Sequence, residues 1–424
     1  MPKIDRLCGR EVLDSRGRPT VLATCFLEGG ISASASVPSG ASTGAAEAFE
    51  LRDGDPKRYQ GLGCRRAAAN IGGELQDALV GETFHDQSNL DRAMIALDGT
   101  STKWRIGANA ILAVSVAFAR ACAMYRGIPL YQHFADLLGS HVTKLPRLTI
   151  NLFSGGKHAG HQVSIQDVLI IPMSPQTIDG VLAAAFDIYQ AAAELALRKY
   201  GMRLLTADEG GLAPPCRSVE EMLDLAVEGI RQAGYVPGRD VFLGIDVAAT
   251  HFYDNPLYKL DSEVFDSSGM IARIARWLDQ YPILSVEDGL AEDDWENWPK
   301  LREMIAGRAL TLGDDLLCTN PNRIQRAVEA NACDALLLKV NQIGTLTEAL
   351  EAYQQARTAN WTVTLSVRSG ETEDNWAADL AVGWQADQFK NGSIRQSERM
   401  SKYNRLLEIE ETTRAALAGW PRRF

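Results

Sequence analysis

The sequence predicts an α/β protein in which an N-terminal α+β domain precedes a C-terminal (β/α) barrel. Four apolar runs of strand length each end at a charged residue, and a fifth leads into a polar loop. Helix-like segments separate most of these runs, which is typical of parallel βα units. A (β/α) barrel has its active site at the carboxyl ends of its strands. The runs and the residues that follow them are 241–245 with Asp246, 283–286 with Glu287, 309–313 with Asp314, 335–338 with Lys339, and 363–365 with the loop carrying Arg368 and Ser369.

Length and charge limit the classes of protein that the chain can represent. A chain of 424 residues is long for one core, so two domains are expected. The net charge of −11 argues against a nucleic-acid partner. Seven scattered cysteines without a CxxC pair favour reduced thiols in a cytoplasmic protein and no zinc module. No apolar run is expected to reach membrane-spanning length, and the longest, 108–125, is expected to be a buried helix.

The first domain, residues 1–138, is predicted to have strands first and helices after. Residues 21–27 and 31–37 have strand composition, and Gly29-Gly30 between them indicates a hairpin turn. The pattern is helical from about 64 to 137, with a long helix that opens at Gly107 and stops before Gly127. Breaks in the pattern near 138–147 indicate a boundary, so the second domain is assigned to residues 145–424.

The loop 38–44 between the strands and the helices is small, polar and rich in glycine. Such a loop can act as a mobile lid or donate an oxygen, here from Ser42, to a cation. Its composition taken alone favours a plain linker.

The second domain opens with a strand near 148–152 and a glycine-rich loop that carries His158 and His161. Asp167 precedes the apolar run 168–171, an alanine-rich helix is expected over 176–199, and Glu209 follows Asp208 before two glycines. Taken singly, the paired carboxylates favour a solvated turn and His158 favours a loop histidine without a partner.

Three carboxylates at three strand ends suggest a metal-dependent reaction. Asp246, Glu287 and Asp314 would repel one another at a barrel mouth unless a divalent cation bound there, and all-oxygen ligands favour Mg²⁺. Beside a dication the neutral amine of Lys339 is favoured, so Lys339 could remove a proton α to a carboxylate. Arg368 and Ser369, with Lys390, could hold a phosphate or a second acidic group, although a surface turn with a solvated arginine is the alternative.

A series of motifs in order gives the chain a close resemblance to the enolase family. The motifs are EVLDSRGRPTV, VPSGASTG, ELRDGD, LDGT, GANAILAVSVA, GGKHA, DEGGLAP, GIDVAA, SVEDG, GDDLLCTNP, LLLKVNQIGTLTE, RSGETED and SERMSKYNRLLEIEE. The resemblance covers essentially the whole chain. It implies the enolase fold, with a C-terminal (β/α)8-type barrel whose first strands are irregular, a homodimer that can assemble further, and two Mg²⁺ per active site.

The resemblance also implies roles for individual residues. Asp246, Glu287 and Asp314 would hold the first metal, and Ser42 would join the second when the lid closes. Lys339 would remove the C2 proton of 2-phosphoglycerate, and Glu209 would help the C3 hydroxyl leave. The remaining positions match substrate contacts of the family, with His158 on its histidine loop, Arg368 and Ser369 at the phosphate, and Lys390 at the carboxylate.

The chain departs from the family pattern at several site positions. The family's SHRSGETED has Val367 in place of its histidine, and its IQEF has Asp167 in place of its glutamate. The histidine loop and the segment after Glu287, where Gly289 stands, differ as well. Loss of a site hydrogen bond or charge commonly costs about 10²–10³ in rate. The altered positions lie where the family handles the leaving hydroxyl, which predicts that proton abstraction is retained and that the substrate or the second half-reaction has changed.

Three functions remain open on the sequence. The first is an enolase acting on 2-phosphoglycerate to form phosphoenolpyruvate. The second is a homologue of the carboxyphosphonoenolpyruvate synthase type, from phosphonate biosynthesis, with a larger phosphorylated or phosphonate substrate in the room left by Val367 and Gly289. The third is an inactive homologue used as a binding protein, which the intact carboxylates and Lys339 argue against.

Overall fold

A computed structural model describes residues 3–41, 43–201, 203 and 205–421 of the chain. Its N-terminal part is a three-stranded antiparallel sheet followed by helices. The strands are β1 Ile4–Leu13, β2 Pro19–Leu27 and β3 Ser32–Ser36, and the helices are α1 Arg65–Asn70, α2 Gln76–Leu79, α3 Gln87–Asp98, α4 Ala108–Arg126 and α5 Leu130–Leu138. A π-helical turn, Ile71–Leu75, joins α1 to α2.

The predicted hairpin turn and central helix of this part are both present. Gly29 and Gly30 have φ of 90° and 85°, a conformation that glycine adopts without the steric cost of a Cβ. Helix α4 packs against β2 and β3 with nearly every side chain buried, which explains its all-round apolar sequence.

The remaining strands belong to the C-terminal part of the chain. They are β4 Lys144–Leu145, β5 Arg147–Ser154, β6 Asp167–Pro172, β7 Leu205–Thr206, β8 Leu212–Ala213, β9 Val241–Asp246, β10 Tyr253–Asp254, β11 Leu257–Leu260, β12 Glu263–Phe265, β13 Ile283–Glu287, β14 Leu310–Gly313, β15 Ala335–Leu338, β16 Thr362–Ser366, β17 Gln388–Lys390 and β18 Ala416–Leu417. The helices are α6 Ile178–Tyr200, α7 Val219–Gln232, α8 Ser267–Gln280, α9 Trp298–Ile305, α10 Pro321–Ala330, α11 Leu346–Thr358, α12 Trp376–Gly383 and α13 Ser397–Thr413.

Eight of these strands close a barrel in the order β5, β6, β9, β13, β14, β15, β16 and β17, with β17 paired to β5. Seven strands are parallel, while β6 runs antiparallel to both of its neighbours. The barrel is therefore not built only from parallel βα units, and the irregular first strands that the family resemblance implied are confirmed. Because β6 runs backwards, its first residue, Asp167, lies opposite Asp246 at the mouth of the barrel.

The barrel interior is a packed core. Strand β5 is buried along its whole length, and the cavity left inside the barrel measures only about 10 Å³. Chemistry is therefore confined to the mouth, where the strands end and polar side chains replace apolar ones.

Buried polar contacts join the two parts of the chain and place the N-terminal loops over this mouth. Asp91 of α3 accepts hydrogen bonds from the backbone N–H and the hydroxyl of Thr347, at 2.9 and 2.6 Å. Lys103 forms an ion pair with Glu348 at 2.8 Å.

Two helices, α4 and α6, are long and apolar enough by composition to cross a membrane, so the expectation that no apolar run reaches that length is wrong. Within the most apolar part of α4, 83% of the residues are buried in the protein. This confirms that α4 is a core helix.

Candidate active site

Carboxylates and ammonium groups meet on one side of the barrel mouth, here called the carboxylate side (Asp246, Glu287, Asp314, Lys339 and Lys390). The Nζ atom of Lys390, at the end of β17, lies 2.8 Å from Asp246 and 2.7 and 2.8 Å from the two oxygens of Glu287. Gln166 also donates to Asp246, at 3.1 Å. The ammonium of Lys390 thus occupies a position between the two carboxylates where a cation is favoured.

The base predicted from the sequence lies on the same side. Lys339 follows β15, and its Nζ is 2.5 Å from Asp314, whose other oxygen accepts from Gln342 at 2.8 Å. Burial lowers the pKa of Lys339, but the negative charges around it, Asp314 first and then Glu287, together outweigh burial, so the net pKa is raised. The neutral form of Lys339 was predicted only for a site that holds a dication, so it remains a prediction.

The carboxylate side carries more buried negative than positive charge, which fits a divalent cation. The pKa of Glu287 is raised well above its ordinary value, because the group is buried and lies near Asp246. A buried acid that favours its proton in this way would be relieved by a metal ion. Asp246, Glu287 and Asp314 are the oxygens that would hold it.

The spacing of ligand atoms points to a rearrangement on metal binding. Among the described residues, two groups of three ligand atoms lie within 4.8 Å of one another, and Asp246, Glu287 and Asp314 are not one of them. The groups are His158, Asp167 and Glu209, and Asp288, Asp314 and Asp315. The reason is visible in the contacts: the ammonium groups of Lys390 and Lys339 are bound to the predicted ligands.

The opposite side of the mouth, here called the histidine side, consists of His158, Asp167 and Glu209. All three are buried, and Nδ1 of His158 lies 3.3 Å from Asp167 without the alignment of a hydrogen bond. Ser154 donates to Asp167 at 2.6 Å, and Asn151 donates to Glu209 at 3.1 Å. The predictions of a solvated turn and of an unpaired loop histidine are therefore wrong.

The electrostatics of the histidine side favour a proton on the His158–Asp167 pair. Burial lowers the pKa of His158, but the Asp167 carboxylate outweighs it and the pKa is raised. Burial raises the pKa of Asp167. The pKa of Glu209 is lowered, since the charges of His158 and Arg399 outweigh burial. The assignment of Glu209 as the acid remains a prediction, and the pair offers a second source of the proton.

Barrel order places the base and the histidine side opposite one another. Lys339 follows β15 and Asp167 begins β6, which are four strands apart in the eight-stranded ring whichever way it is counted. The carboxylates of β9, β13 and β14 lie between them. A small substrate in the mouth would therefore meet a base and an acid from different directions.

The predicted phosphate residues contact the lid rather than solvent. Residues 38–50, described except for Ser42, form the lid segment, and Ser39 pairs through its backbone with Gly370 at 2.8 and 3.0 Å. Ser369 accepts from the Ala41 N–H at 2.9 Å, and Arg368 is bound by Glu47. A plain linker does not fit these contacts. The predicted metal ligand Ser42 lies outside the described residues.

Two of the residues that differ from the family lie in different surroundings. Val367 is buried after β16, with its backbone N–H 3.3 Å from the Lys390 carbonyl, so an apolar side chain stands on the rim. Gly289 is different, because a Cβ there would meet Leu301 at 2.8 Å and Ile274 at 3.0 Å. Gly289 therefore faces the packing of α8 and α9 and leaves no room for a substrate, so that part of the sequence interpretation is wrong.

Sequence reasoning missed residues whose roles depend on long-range contacts. Gln166 and Gln342 fix the ligand carboxylates, and Glu47 reaches Arg368 from a segment more than 300 residues away. Strand β17, which carries Lys390, is only three residues long and gave no strand signal of its own.

The barrel, its rim carboxylates and the opposed lysine and histidine groups are typical of an enzyme that works at the mouth of a (β/α) barrel, where the carboxylates could hold a divalent metal. Residues 4–134 match the family described as enolase, N-terminal domain, and residues 142–420 match enolase, C-terminal TIM barrel domain. The chain belongs to the enolase family. It is accordingly an enolase-superfamily enzyme of the lyase type, and divalent-metal binding is a property of that family.

Proposed function

We propose that the protein is a Mg²⁺-dependent lyase that removes the proton α to the carboxylate of 2-phosphoglycerate, or of a close phospho- or phosphono-carboxylate, and forms a phosphoenolpyruvate-type product. The observation that carries this proposal is the opposition of Lys339 and the His158–Asp167–Glu209 group across the barrel. Elimination of water needs both a base at one carbon and an acid at the next.

Each step of the proposed reaction is assigned to residues of this chain. Lys339 takes the C2 proton, and the electron pair of that C–H bond forms the new double bond while the C3 hydroxyl leaves. A proton from Glu209 or from the His158–Asp167 pair turns the hydroxyl into water. Arg368 and Ser369 bind the phosphate, and Lys390 pairs with the substrate carboxylate.

The proposed reaction also needs metal ions, which residues at the barrel mouth would hold. We propose two Mg²⁺ per active site, the first on Asp246, Glu287 and Asp314 and the second joined by Ser42. When bound, they supply positive charge for the carboxylate that gains charge as the proton leaves. The proposal also includes a homodimer, which can assemble further, acting in the cytoplasm.

A second candidate, of the carboxyphosphonoenolpyruvate synthase type, is favoured by the apolar rim at Val367 and the shorter Asp167. The valine side chain neither donates nor accepts a hydrogen bond, so it cannot stabilise a leaving hydroxyl at this part of the rim.

Proton NMR of 2-phosphoglycerate with the protein and Mg²⁺ in deuterated water tests the proposal. Loss of the C2 proton signal is expected if Lys339 acts as the base. Vinyl protons appearing at a comparable rate would identify an enolase, whereas C2 exchange with little vinyl product would favour the second candidate. No change in either signal, together with no Mg²⁺ binding by calorimetry, would contradict the proposal and support the inactive homologue.

A further inference from the structure

Glu47 of the lid segment binds Arg368 through both oxygens. Its Oε2 accepts from Nη1 of Arg368 at 2.9 Å and its Oε1 from Nη2 at 3.2 Å. The side chains of Arg368 and Glu47 are only 3% and 8% exposed. Oε1 also accepts from the Gly44 N–H at 3.0 Å, so one carboxylate holds both the arginine and the backbone of the lid.

This arrangement places an anion of the protein on the arginine proposed to bind phosphate. A guanidinium presents paired N–H donors that match two oxygens of a carboxylate or of a phosphate in the same way. Nη1 and Nη2 of Arg368 both point to Glu47, so a phosphate that used this pair of donors would have to displace the carboxylate.

Other contacts hold the lid without involving Arg368. The Ala45 N–H donates to Glu292 at 3.0 Å, and the Ala48 N–H donates to the Gln342 carbonyl at 2.7 Å. Attachment of the lid to the barrel and competition for Arg368 are therefore separable by mutation.

The surroundings leave Glu47 a place to move. A cavity of about 260 Å³ lies beside the pair, lined by residues that include Glu47, Arg368, Asn341 and Asn109. Asn341, whose Nδ2 donates to the Pro38 carbonyl at 3.5 Å, offers a polar group there, whereas both amide atoms of Asn109 are bound to the Leu51 backbone. The carboxylate can leave the guanidinium for this cavity without entering the apolar core.

We propose that Glu47 is an internal competitor for the phosphate site, which occupies Arg368 when substrate is absent and is displaced when a phosphate binds. The inference rests on the proposed function only in taking Arg368 as the phosphate contact. Glu47 thereby couples lid position to substrate: the phosphate that enters releases the lid carboxylate, and the lid can then settle around the bound molecule.

The size of the effect follows from the tethered position of the competitor. A site that is available for only a fraction of the time binds with an affinity reduced by that fraction. A carboxylate held beside its arginine competes at an effective concentration of about millimolar or more. Removing its charge while keeping its shape should therefore tighten phosphate binding by about tenfold or more.

Calorimetric titration of the full-length protein with inorganic phosphate tests the inference. Glu47→Gln keeps an oxygen for the Gly44 N–H but loses the charge, and we expect its Kd for phosphate to fall about tenfold or more. Glu292→Gln is the matched control, because it also alters a carboxylate that accepts a lid N–H, and we expect its Kd to stay within about twofold of the parent value. Unchanged or weaker binding by Glu47→Gln would overturn the inference, since it would make Glu47 a group that positions Arg368.

Two further measurements keep the result unambiguous. If Glu47→Gln does not fold, as judged by circular dichroism, Glu47→Asp replaces it. Its side chain is one methylene shorter and brings the carboxylate less close to the guanidinium, so this variant should also bind phosphate more tightly than the parent. Arg368→Gln should abolish the gain seen in Glu47→Gln, and retention of that gain would overturn the inference. If no C2 exchange is observed but Glu47→Gln binds phosphate more tightly, the proposed reaction is rejected and the inference about Glu47 stands.

Discussion

The carboxylate side and the histidine side of the barrel mouth differ in how their buried polar groups are satisfied. On the carboxylate side, Asp246, Glu287 and Asp314 are each bound by at least one ammonium group. On the histidine side, the described residues include two buried atoms without a hydrogen-bond partner, Oδ1 of Asn151 and Oε1 of Gln162, while Nδ1 of His158 and Oδ2 of Asp167 face each other at 3.3 Å.

This difference bears on the hypothesis that proton abstraction is retained and that the second half-reaction has changed. A buried polar atom without a partner costs free energy of about 1–3 kcal/mol, so such atoms persist where a ligand or water completes the site. The carboxylate side matches the family pattern at every position named here. The histidine side contains Asp167, one departure from that pattern. Val367, another departure, follows β16 and lies beside Lys390, to whose carbonyl its backbone N–H donates at 3.3 Å. Substrate identity should therefore depend chiefly on Asp167 and Val367.

The largest expected effect is on the carboxylate side. Lys339→Ala removes the proposed base, and we expect the rate of C2 proton exchange in 2-phosphoglycerate to fall by about 10²–10⁴-fold. The measurement is the NMR experiment in deuterated water. Lys300→Ala, which alters a surface lysine paired with Glu296, is the control and should keep the parent rate. C2 proton exchange at the parent rate in Lys339→Ala would mean that another residue is the base.

The next effect is a gain at two positions that depart from the family pattern. Val367→His combined with Asp167→Glu restores the family pattern, and we expect the rate of vinyl product formation to rise by about 10²–10³-fold. The assay is the appearance of phosphoenolpyruvate from 2-phosphoglycerate. C2 exchange should change much less, since Lys339 is untouched. A double variant that gains nothing would show that these residues do not separate the two activities.

A smaller effect concerns the support of the metal ligands. Asp288 accepts from the backbone N–H groups of Asp314 and Asp315 at 3.0 and 2.7 Å. Asp288→Asn keeps one acceptor but loses the charge, and we expect Mg²⁺ affinity to fall about 10–100-fold by calorimetry. Asp261→Asn, a carboxylate outside the mouth that accepts from Ser164, is the control. Equal losses in both variants would indicate general destabilisation.

The smallest effect is the titration of His251, whose pKa is influenced by His158 of the histidine side. Burial, followed by the charge of Lys157, lowers the pKa of His251 to about 4. The unfolded chain therefore binds the extra proton first, and stability attributable to His251 is lost as the pH falls from about 6.5 towards 4. NMR of the imidazole in metal-free protein should give a midpoint near 4, and a higher one in Lys157→Ala. A midpoint near 6.5 in the parent protein would mean that this side is open to water.

Much of the architecture follows from local sequence. Apolar runs of four to six residues ending at Asp246, Glu287 and Lys339 predicted three barrel strands and their rim residues, because strand ends collect at one edge of a parallel sheet. The Gly29-Gly30 turn and helix α4 were equally predictable, since glycine conformation and helix start and stop signals are local properties.

The contacts between distant segments could not be predicted in this way. The sequence by itself determined the barrel, its rim carboxylates and Lys339, because backbone geometry and burial pattern set these locally. Only the tertiary structure decided that β6 runs backwards to present Asp167, that Gly289 faces apolar packing, and that Glu47 lies on Arg368. These outcomes depend on which side chains meet across hundreds of residues, and that is fixed by packing and charge complementarity in the folded chain.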